Sequence, residues 1–428
     1  MRIIIAFVIF SVIILFHEWG HFLLAKLSGI VVTEFSLGMG PRLFSIERGG
    51  TRYSLKLLPL GGSCAMLGED TDEMAEGSFN SASVGKRIAV VAAGPVFNFI
   101  LAFILSIIIV HYAGFDEPFV SFVAEGSNAE EAGLMQGDRI VSYDGYHIDV
   151  GRDLYIYLYL HTIEENEPIR LEVLRDGEKK YLSFLPDIQE RYLLGFNRSD
   201  ANSMTVESLI PGLPLEKAGL QPGDTIVGVG GVPIEDGAAY EEYLKDHPLK
   251  EEPVQITYER NGLEYEVEIV PMVYRTPTGG FSYNLSFQEA KGLQALPHAL
   301  TEVKYMIRST LLSLKGLFTG GVGVKDLSGP VGVVDAIGDT YEQSKSGGML
   351  VVVINLLNMA VLLSANLGVM NLLPIPALDG GRLLLLLVEA VRRKPLNRNL
   401  EGSIHLTGFI LLMVLMAFVM FQDIMKLF

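Results

Sequence analysis

Cysteine is almost absent from this chain of 428 residues, which contains a single one, Cys64. An intramolecular disulfide therefore cannot form, and a zinc cluster held by several thiolates is excluded. Cys64 is interpreted as a small buried residue. A basic surface is also lacking, since the net charge is −17. Because nucleic-acid binding needs a basic face, a nucleic-acid partner is not expected.

The acidic charge is concentrated in the middle of the chain. Residues 116–275 contain 32 Asp and Glu against 13 Lys and Arg, whereas the other residues contain 18 against 20. Hydrophobic residues make up 49% of the chain, and the mean hydropathy of +0.35 is high for a soluble protein. These values indicate an acidic soluble region inserted between near-neutral membrane segments.

Four apolar runs are long enough to cross a membrane as helices: 3–25, 88–112, 349–373 and 403–427. Lys and Arg cluster between the first two runs and again just before the last one, and such loops face the cytoplasm. The second run is followed instead by acidic residues. The pattern therefore predicts that the acidic region and both termini are extracytoplasmic.

The first span contains His17-Glu18-Trp19-Gly20-His21. Two histidines four residues apart project from one helix face and can ligate one zinc ion, and Glu18 can take a proton from water at that zinc. Ionisable residues are costly in hydrocarbon, which favours a functional role. A cleavable signal peptide is the alternative, but the apolar run continues past His21 without a small-residue cleavage site.

Two histidines leave a catalytic zinc site one ligand short. Asp379 follows the third span in the segment 371–381, where Pro374 and Pro376 prevent a regular helix and allow the carboxylate to point inward. The other histidines are interpreted as structural or solvated; they are His111, His147, His161, His247, His298 and His405.

Residues 31–62 form a glycine-rich apolar segment. Residues 43–46 and 53–57 are predicted to be short strands joined by a turn at residues 48–50. An unpaired sheet edge near the membrane can recruit an extended peptide. An amphipathic loop on the bilayer surface is an equal alternative.

The middle region contains an internal repeat. Residues 131–141 and 217–227 share the pattern A-G-L-x-x-G-D-x-I-V at a spacing of 86 residues. The pattern resembles PDZ domains of the bacterial protease-associated type. Such modules can bind a peptide as an added strand or a terminal carboxylate, and they can also act as steric filters without a ligand. Residues 276–280 are predicted to be a linker, and residues 287–317 an amphipathic helix on the outer membrane surface.

Three separated motifs together resemble the site-2 protease family of intramembrane zinc metalloproteases. They are H-E-x-x-H in the first span, G-P-x-x-N ending at Asn98 in the second, and N-x-x-P-x-P-x-L-D-G-G around Asp379. The resemblance implies Zn²⁺ held by His17, His21 and Asp379, with Glu18 as general base. It also implies substrate handling; the candidates are Asn366, Asn371, Pro374, Pro376 and the β element at Gly38 and Gly40. Asn98 either faces the active site and holds substrate or makes a structural bond between helices.

We therefore expect a polytopic α-helical membrane protein with four transmembrane helices, a membrane-associated β element and two extracytoplasmic PDZ-like α+β domains. The expected divisions are a peptidase core in two parts (1–115 and 349–428), PDZ-like domains (116–193 and 200–275) and an amphipathic juxtamembrane region (286–348). By resemblance, the protein resides in the bacterial cytoplasmic (inner) membrane. Its expected partners are the lipid bilayer, single-pass membrane proteins, and peptide ligands or truncated ectodomains at the PDZ-like domains.

The expected activity is cleavage of transmembrane segments in single-span substrates, such as anti-sigma-factor-like proteins or remnant signal peptides, after earlier trimming of the ectodomain. Two alternatives belong to other functional classes. A membrane transporter would move metal ions through the intramembrane His and Asp. A scaffold would only gather peptides through the PDZ-like repeats.

Overall fold

The computed structural model describes residues 2–69, 74–320, 323, 328–394 and 398–426. The helices are α1 Arg2–Leu27, α2 Val84–Ala113, α3 Asn128–Glu131, α4 Gly151–Leu160, α5 Pro214–Lys217, α6 Gly237–Asp246, α7 Ala295–Thr319, α8 Pro330–Ser344, α9 Met349–Leu372, α10 Asp379–Arg392 and α11 Arg398–Lys426. The strands of the first half are β1 Val32–Arg48, β2 Thr51–Met66, β3 Phe115–Val123, β4 Arg139–Tyr143, β5 Tyr146–His147, β6 Ile169–Arg175, β7 Glu178–Phe184 and β8 Asp187–Leu193. Those of the second half are β9 Phe196–Arg198, β10 Val206–Leu209, β11 Thr225–Val229, β12 Val232–Pro233, β13 Val254–Arg260, β14 Leu263–Ile269, β15 Met272–Thr278 and β16 Phe281–Gln288.

Four helices of the described chain are long and apolar enough to cross a membrane. They are α1, α2, α9 and residues 401–426 of α11, and they coincide with the four predicted spans to within a few residues. Helices α1 and α2 approach closely at Gly20, where an added Cβ would lie 2.8 Å from the carbonyl carbon of Ala93. A small residue at this crossing therefore sets the distance between the first two spans.

The two strands after α1 form a curled sheet that is longer than the sequence predicts. Residues 34–37 of β1 pair with residues 62–65 of β2 on one side and with residues 52–55 on the other. Residues 52–55 also pair with residues 44–47. Gly49 and Gly50 form the predicted turn with φ of +59° and +72°, a conformation that glycine adopts without strain.

By internal contacts the chain divides into two compact units. The first comprises residues 1–119, 139–161 and 283–428, and the second comprises residues 120–138 and 162–282. The first unit contains the four membrane-length helices. In the second unit, a core of Leu215, Ile226, Val229 and Ile256 lies beneath the antiparallel strands β12, β11, β13 and β14, in that order.

The two copies of the sequence repeat contain the same ion pair within the second unit. Asp138 accepts hydrogen bonds from Arg175 at 2.6 and 2.7 Å, and Asp224 accepts them from Arg260 at 2.7 and 2.6 Å. Each arginine also donates to the backbone carbonyl of the repeat glycine, Gly133 or Gly219. The aspartate of the G-D pattern thus links each copy of the repeat to a later strand. Asp138 links the first copy to β6, and Asp224 links the second copy to β13.

Between residues 276 and 317 the predicted linker is wrong, whereas the predicted helix is confirmed with a later start. The predicted linker lies largely in β15, which pairs with β8 from Met272 opposite Leu193 to Thr278 opposite Asp187. Pro277 is tolerated because, among the described residues, β15 pairs on one side only. The predicted helix is shorter at its start, because residues 281–288 form β16 and α7 begins at Ala295.

Candidate metal centre

The structure brings together three side chains from distant parts of the chain. One ligand atom each from His17, His21 and Asp379 lies within 4.8 Å of the other two. The Nε2 atoms of His17 and His21 are 3.3 Å apart, and they lie 3.2 and 3.5 Å from Asp379 Oδ2. Tetrahedral zinc, with bonds of 2.0–2.1 Å, spaces its ligand atoms about 3.3 Å apart, so this donor set fits zinc.

The outer ring nitrogen of each histidine has its own partner. His21 Nδ1 donates to the backbone carbonyl of Val90 at 2.9 Å, which leaves the Nε2 lone pair for a metal ion. His17 Nδ1 lies 3.1 Å from the buried amide of Asn98. The structure places Asn98 Nδ2 toward the ring; with zinc at Nε2 the proton of His17 would lie on Nδ1, and the amide turned by 180° would accept it through Oδ1. Asn98 therefore contacts a candidate metal ligand.

Gly94 provides the space in which both imidazoles lie. An added Cβ would come 2.6 Å from Cε1 of His21 and 2.7 Å from Cε1 of His17. Such distances are too short for any side chain, so only glycine fits between α2 and the two rings. This explains the glycine of the G-P-x-x-N element.

Asp379 is the first residue of α10, and a turn over residues 373–378 separates α10 from α9. Helix α9 ends at Leu372, before Pro374, as the two prolines of this segment predict. Gly380 and Gly381 follow Asp379. An added Cβ at Gly380 would lie 2.5 Å from the carbonyl carbon of Leu372, and one at Gly381 would lie 2.8 Å from the carbonyl carbon of Ile375. The glycine pair therefore allows the turn to fold back on the start of α10.

Glu18 lies against strand β2, a contact that the sequence analysis missed. An added Cβ at Gly62 would be 2.9 Å from Glu18 Cγ, and Glu18 is hydrogen-bonded to the backbone of Cys64. The doublet Gly61-Gly62 inside a strand is the sequence signal of this contact. Residues 62–65 pair with β1 on one side only among the described residues.

The predicted substrate-handling residues are not all at the metal centre. Asn366 accepts a hydrogen bond from Thr310 of α7. Asn371 is half-buried at the end of α9, with Pro374 exposed and Pro376 half-buried in the turn before Asp379. In β1, Gly38 is buried and Gly40 is exposed, with φ of +87° and +85°.

A cavity of about 500 Å³ opens beside Asp379. Its polar lining residues are Glu69, Asp379, Arg382, Glu401 and His405. Two of these lining residues, Glu69 and Arg382, form an ion pair. His405, which the sequence analysis places among the structural or solvated histidines, accepts a hydrogen bond from the backbone N–H of Ala377 at 3.1 Å. The metal centre thus has a polar side.

The sequence model of Peptidase family M50 matches residues 5–415. The chain belongs to peptidase family M50. Zinc metalloprotease RasP of Geobacillus kaustophilus is 32% identical over 443 residues, covering 98% of this chain and 97% of the relative. RasP of Shouchella clausii is 32% identical over 469 residues and covers 100% of both chains. Regulator of sigma-E protease RseP of Escherichia coli K12 is 30% identical over 448 residues, or 97% of each chain.

These relatives confirm the predicted class, and this M50 peptidase is a zinc metalloprotease of the site-2 protease type. The four membrane-length helices among the described residues fit a membrane protein. The PDZ domain of HtrA3, solved with a phage-derived ligand, is 21% identical and covers 21% of this chain and 93% of its own. Its TM-score of 0.18 is too low to establish a shared fold.

Proposed function

We propose that this M50 peptidase hydrolyses peptide bonds within the membrane at a zinc ion held by His17, His21 and Asp379. The convergence of three ligand atoms, two from the first span and one from the start of α10, at the spacing of tetrahedral zinc, carries the proposal. When bound there, zinc would supply Lewis-acid polarisation of the scissile carbonyl and a lower pKa for water. Glu18, on the same helix as both histidines, takes the proton from the attacking water and delivers it to the leaving amine.

The substrate segment binds in an extended form along β2. A helical amide is shielded by its own hydrogen bonds, so the substrate must unwind before water can attack. Residues 62–65 offer a strand edge next to Glu18, through the contact at Gly62. The turns at Gly38 and Gly40, and Asn371, Pro374 and Pro376 near Asp379, are the further substrate contacts that we propose.

Two of the asparagines expected to contact substrate, Asn98 and Asn366, have partners within the protein. Asn98 contacts His17, which supports a role in orienting the histidine ring in addition to, or instead of, holding substrate. Asn366 is bonded to Thr310, which supports a contact between α9 and α7 in the substrate-free protein. A substrate that uses Asn366 therefore has to compete with Thr310.

We infer an inner-membrane location in which the basic loops face the cytoplasm and both termini face outward. Exposed apolar side chains at Leu43, Phe44 and Ile46 of β1 fit contact with lipid. The substrates are single-span proteins, such as anti-sigma-factor-like proteins or remnant signal peptides, whose ectodomains have been trimmed. The modules at 116–193 and 200–275 are PDZ-like and exclude bulky ectodomains or bind the newly exposed peptide ends.

Replacing the base while keeping the ligands tests this proposal. Glu18→Gln should retain zinc but accumulate uncleaved tagged single-span substrates, which mass spectrometry of the purified complex identifies. Wild-type rates of cleavage by Glu18→Gln would disprove the assignment of Glu18. Metal-ion flux in proteoliposomes that persists in Glu18→Gln would favour the transporter alternative, and normal function of a His17→Ala/His21→Ala double variant would favour the scaffold.

A further inference from the structure

We propose that His405 and Gly408 of α11 are positioning residues that hold the turn before Asp379 in the conformation needed to bind zinc. This inference rests on the proposed role of Asp379 as a ligand. Helix α11 is the last membrane span, and it contributes none of the three proposed ligands. Its proposed role is mechanical support of the carboxylate.

The first contact is a hydrogen bond to a strained residue. Ala377, two residues before Asp379, has a φ of +76°, which residues with a β-carbon rarely adopt. Such a conformation persists only where the surroundings hold it. His405 Nδ1 accepts the Ala377 N–H at 3.1 Å, so it stabilises the strained residue from outside the turn.

The second contact is three residues further along α11, on the same helix face. An added Cβ at Gly408 would lie 2.6 Å from the carbonyl oxygen of Pro376 and 2.7 Å from its carbonyl carbon. The backbone of α11 therefore packs directly on the backbone of the turn. Together, His405 and Gly408 contact two consecutive residues, Pro376 and Ala377.

The turn is also enclosed on its other side. An added Cβ at Gly381 would lie 2.9 Å from Cα of Pro376, so the start of α10 is in close contact with the same residue. Because Pro376 is packed between α10 and α11, a shift of α11 must move the turn. Asp379, three residues after Pro376, then moves relative to the imidazoles of α1.

The experiment measures zinc loss and cleavage in the purified full chain. After addition of a chelator, His405→Ala should lose zinc about tenfold faster than the wild type, as expected when a residue that orients a ligand is removed. His405→Asn keeps an acceptor at the same number of bonds from the backbone and should lose zinc at the wild-type rate. Ala377→Gly, introduced into His405→Ala, should restore retention because glycine adopts positive φ without support.

Matched substitutions on the same helix test the packing contact independently. Gly408→Ala should accelerate zinc loss, whereas Gly402→Ala, where an added Cβ meets nothing within 4 Å, should not. Wild-type zinc retention in both His405→Ala and Gly408→Ala would overturn the inference, and so would failure of Ala377→Gly to restore His405→Ala. Asp379→Asn separates the two proposals. If Asp379→Asn retains zinc, the assignment of Asp379 as a ligand fails. If Asp379→Asn loses zinc while His405→Ala and Gly408→Ala retain it, only the positioning role of His405 and Gly408 fails.

Discussion

Gly94 lies directly against the imidazole of His21, and an added Cβ would approach Cε1 to 2.6 Å. The contact requires glycine in the middle of a membrane-length helix, where alanine would ordinarily favour the helix by about 0.5–1 kcal/mol. Glycine at this position thus makes space for the rings of two proposed metal ligands and lowers the helix propensity of α2.

We expect Gly94→Ala to lose most of its zinc and its cleavage activity while remaining folded. The added methyl group displaces both rings, although it suits the helix. Gly85→Ala is the matched control, since Gly85 belongs to the same helix and an added Cβ there meets nothing within 4 Å. Zinc content is measured by elemental analysis and folding by circular dichroism. A zinc-loaded, active Gly94→Ala would contradict the proposed geometry.

Asn98→Ala should weaken zinc binding by about 10–100-fold, the usual effect of removing a partner that orients a ligand. The reason is the contact between Asn98 and His17 Nδ1. Competition with a chelator of known affinity measures the change. If Asn98 acts on the substrate instead, the variant should keep its zinc and show a raised KM, which steady-state cleavage assays would detect.

Cys64 should resist alkylation in the folded protein. Burial, with smaller contributions from Glu18 and Glu69, raises the pKa of the Cys64 thiol, so little reactive thiolate forms at pH 8. Because Cys64 is the only cysteine, mass spectrometry after iodoacetamide treatment gives a direct measurement. Modification should be at least about tenfold slower than in denaturant.

A matched control moves the thiol to an exposed position of the same sheet. In the double variant Cys64→Ser/Ser45→Cys, the cysteine replaces an exposed residue of β1 and should react at the rate of a free thiol. Equally rapid modification of Cys64 in the wild type would show that β2 does not pack as described.

Asp224→Asn should loosen the second repeat at neutral pH. Hydrogen bonds from Arg260 lower the pKa of Asp224, so the ionised carboxylate stabilises the folded state. This contribution is complete above the ordinary aspartate pKa of about 3.9 and disappears as the pH falls through the lowered value. Hydrogen–deuterium exchange should accelerate in β11 and β13 of Asp224→Asn at pH 7.

The control is Glu242→Gln, which neutralises an exposed carboxylate of α6 in the same unit. It should leave hydrogen–deuterium exchange in β11 and β13 unchanged. Asp138→Asn should act in the same way on the first repeat, since it removes the equivalent bond to Arg175. Unchanged exchange in both aspartate variants would show that the repeated ion pair contributes little to stability.

The sequence predicts what depends on local pattern and misses what depends on packing. The four spans and the break at Pro374 follow from apolar length and from the chemistry of proline. The choice of His17, His21 and Asp379 follows from motif spacing and from the scarcity of ionisable residues in apolar runs. By contrast, the strand at 281–288 depends on pairing partners that short-range composition does not reveal.

Contacts across long distances in the chain were equally hidden. Gly62 lies against Glu18 and His405 bonds to Ala377, yet neither pair has a recognisable spacing in the sequence. His405 in particular resembles an ordinary polar residue near the start of a span. Only the folded backbone shows that its neighbour is a strained alanine two positions before an aspartate.

The proposed ligands come from the first span and from the segment after the third, nearly the whole length of the chain apart. A nascent protein that has inserted only its first two spans contains both imidazoles and Glu18 but not the carboxylate. Hydrolytic competence therefore has to wait until the segment after the third span has been synthesised.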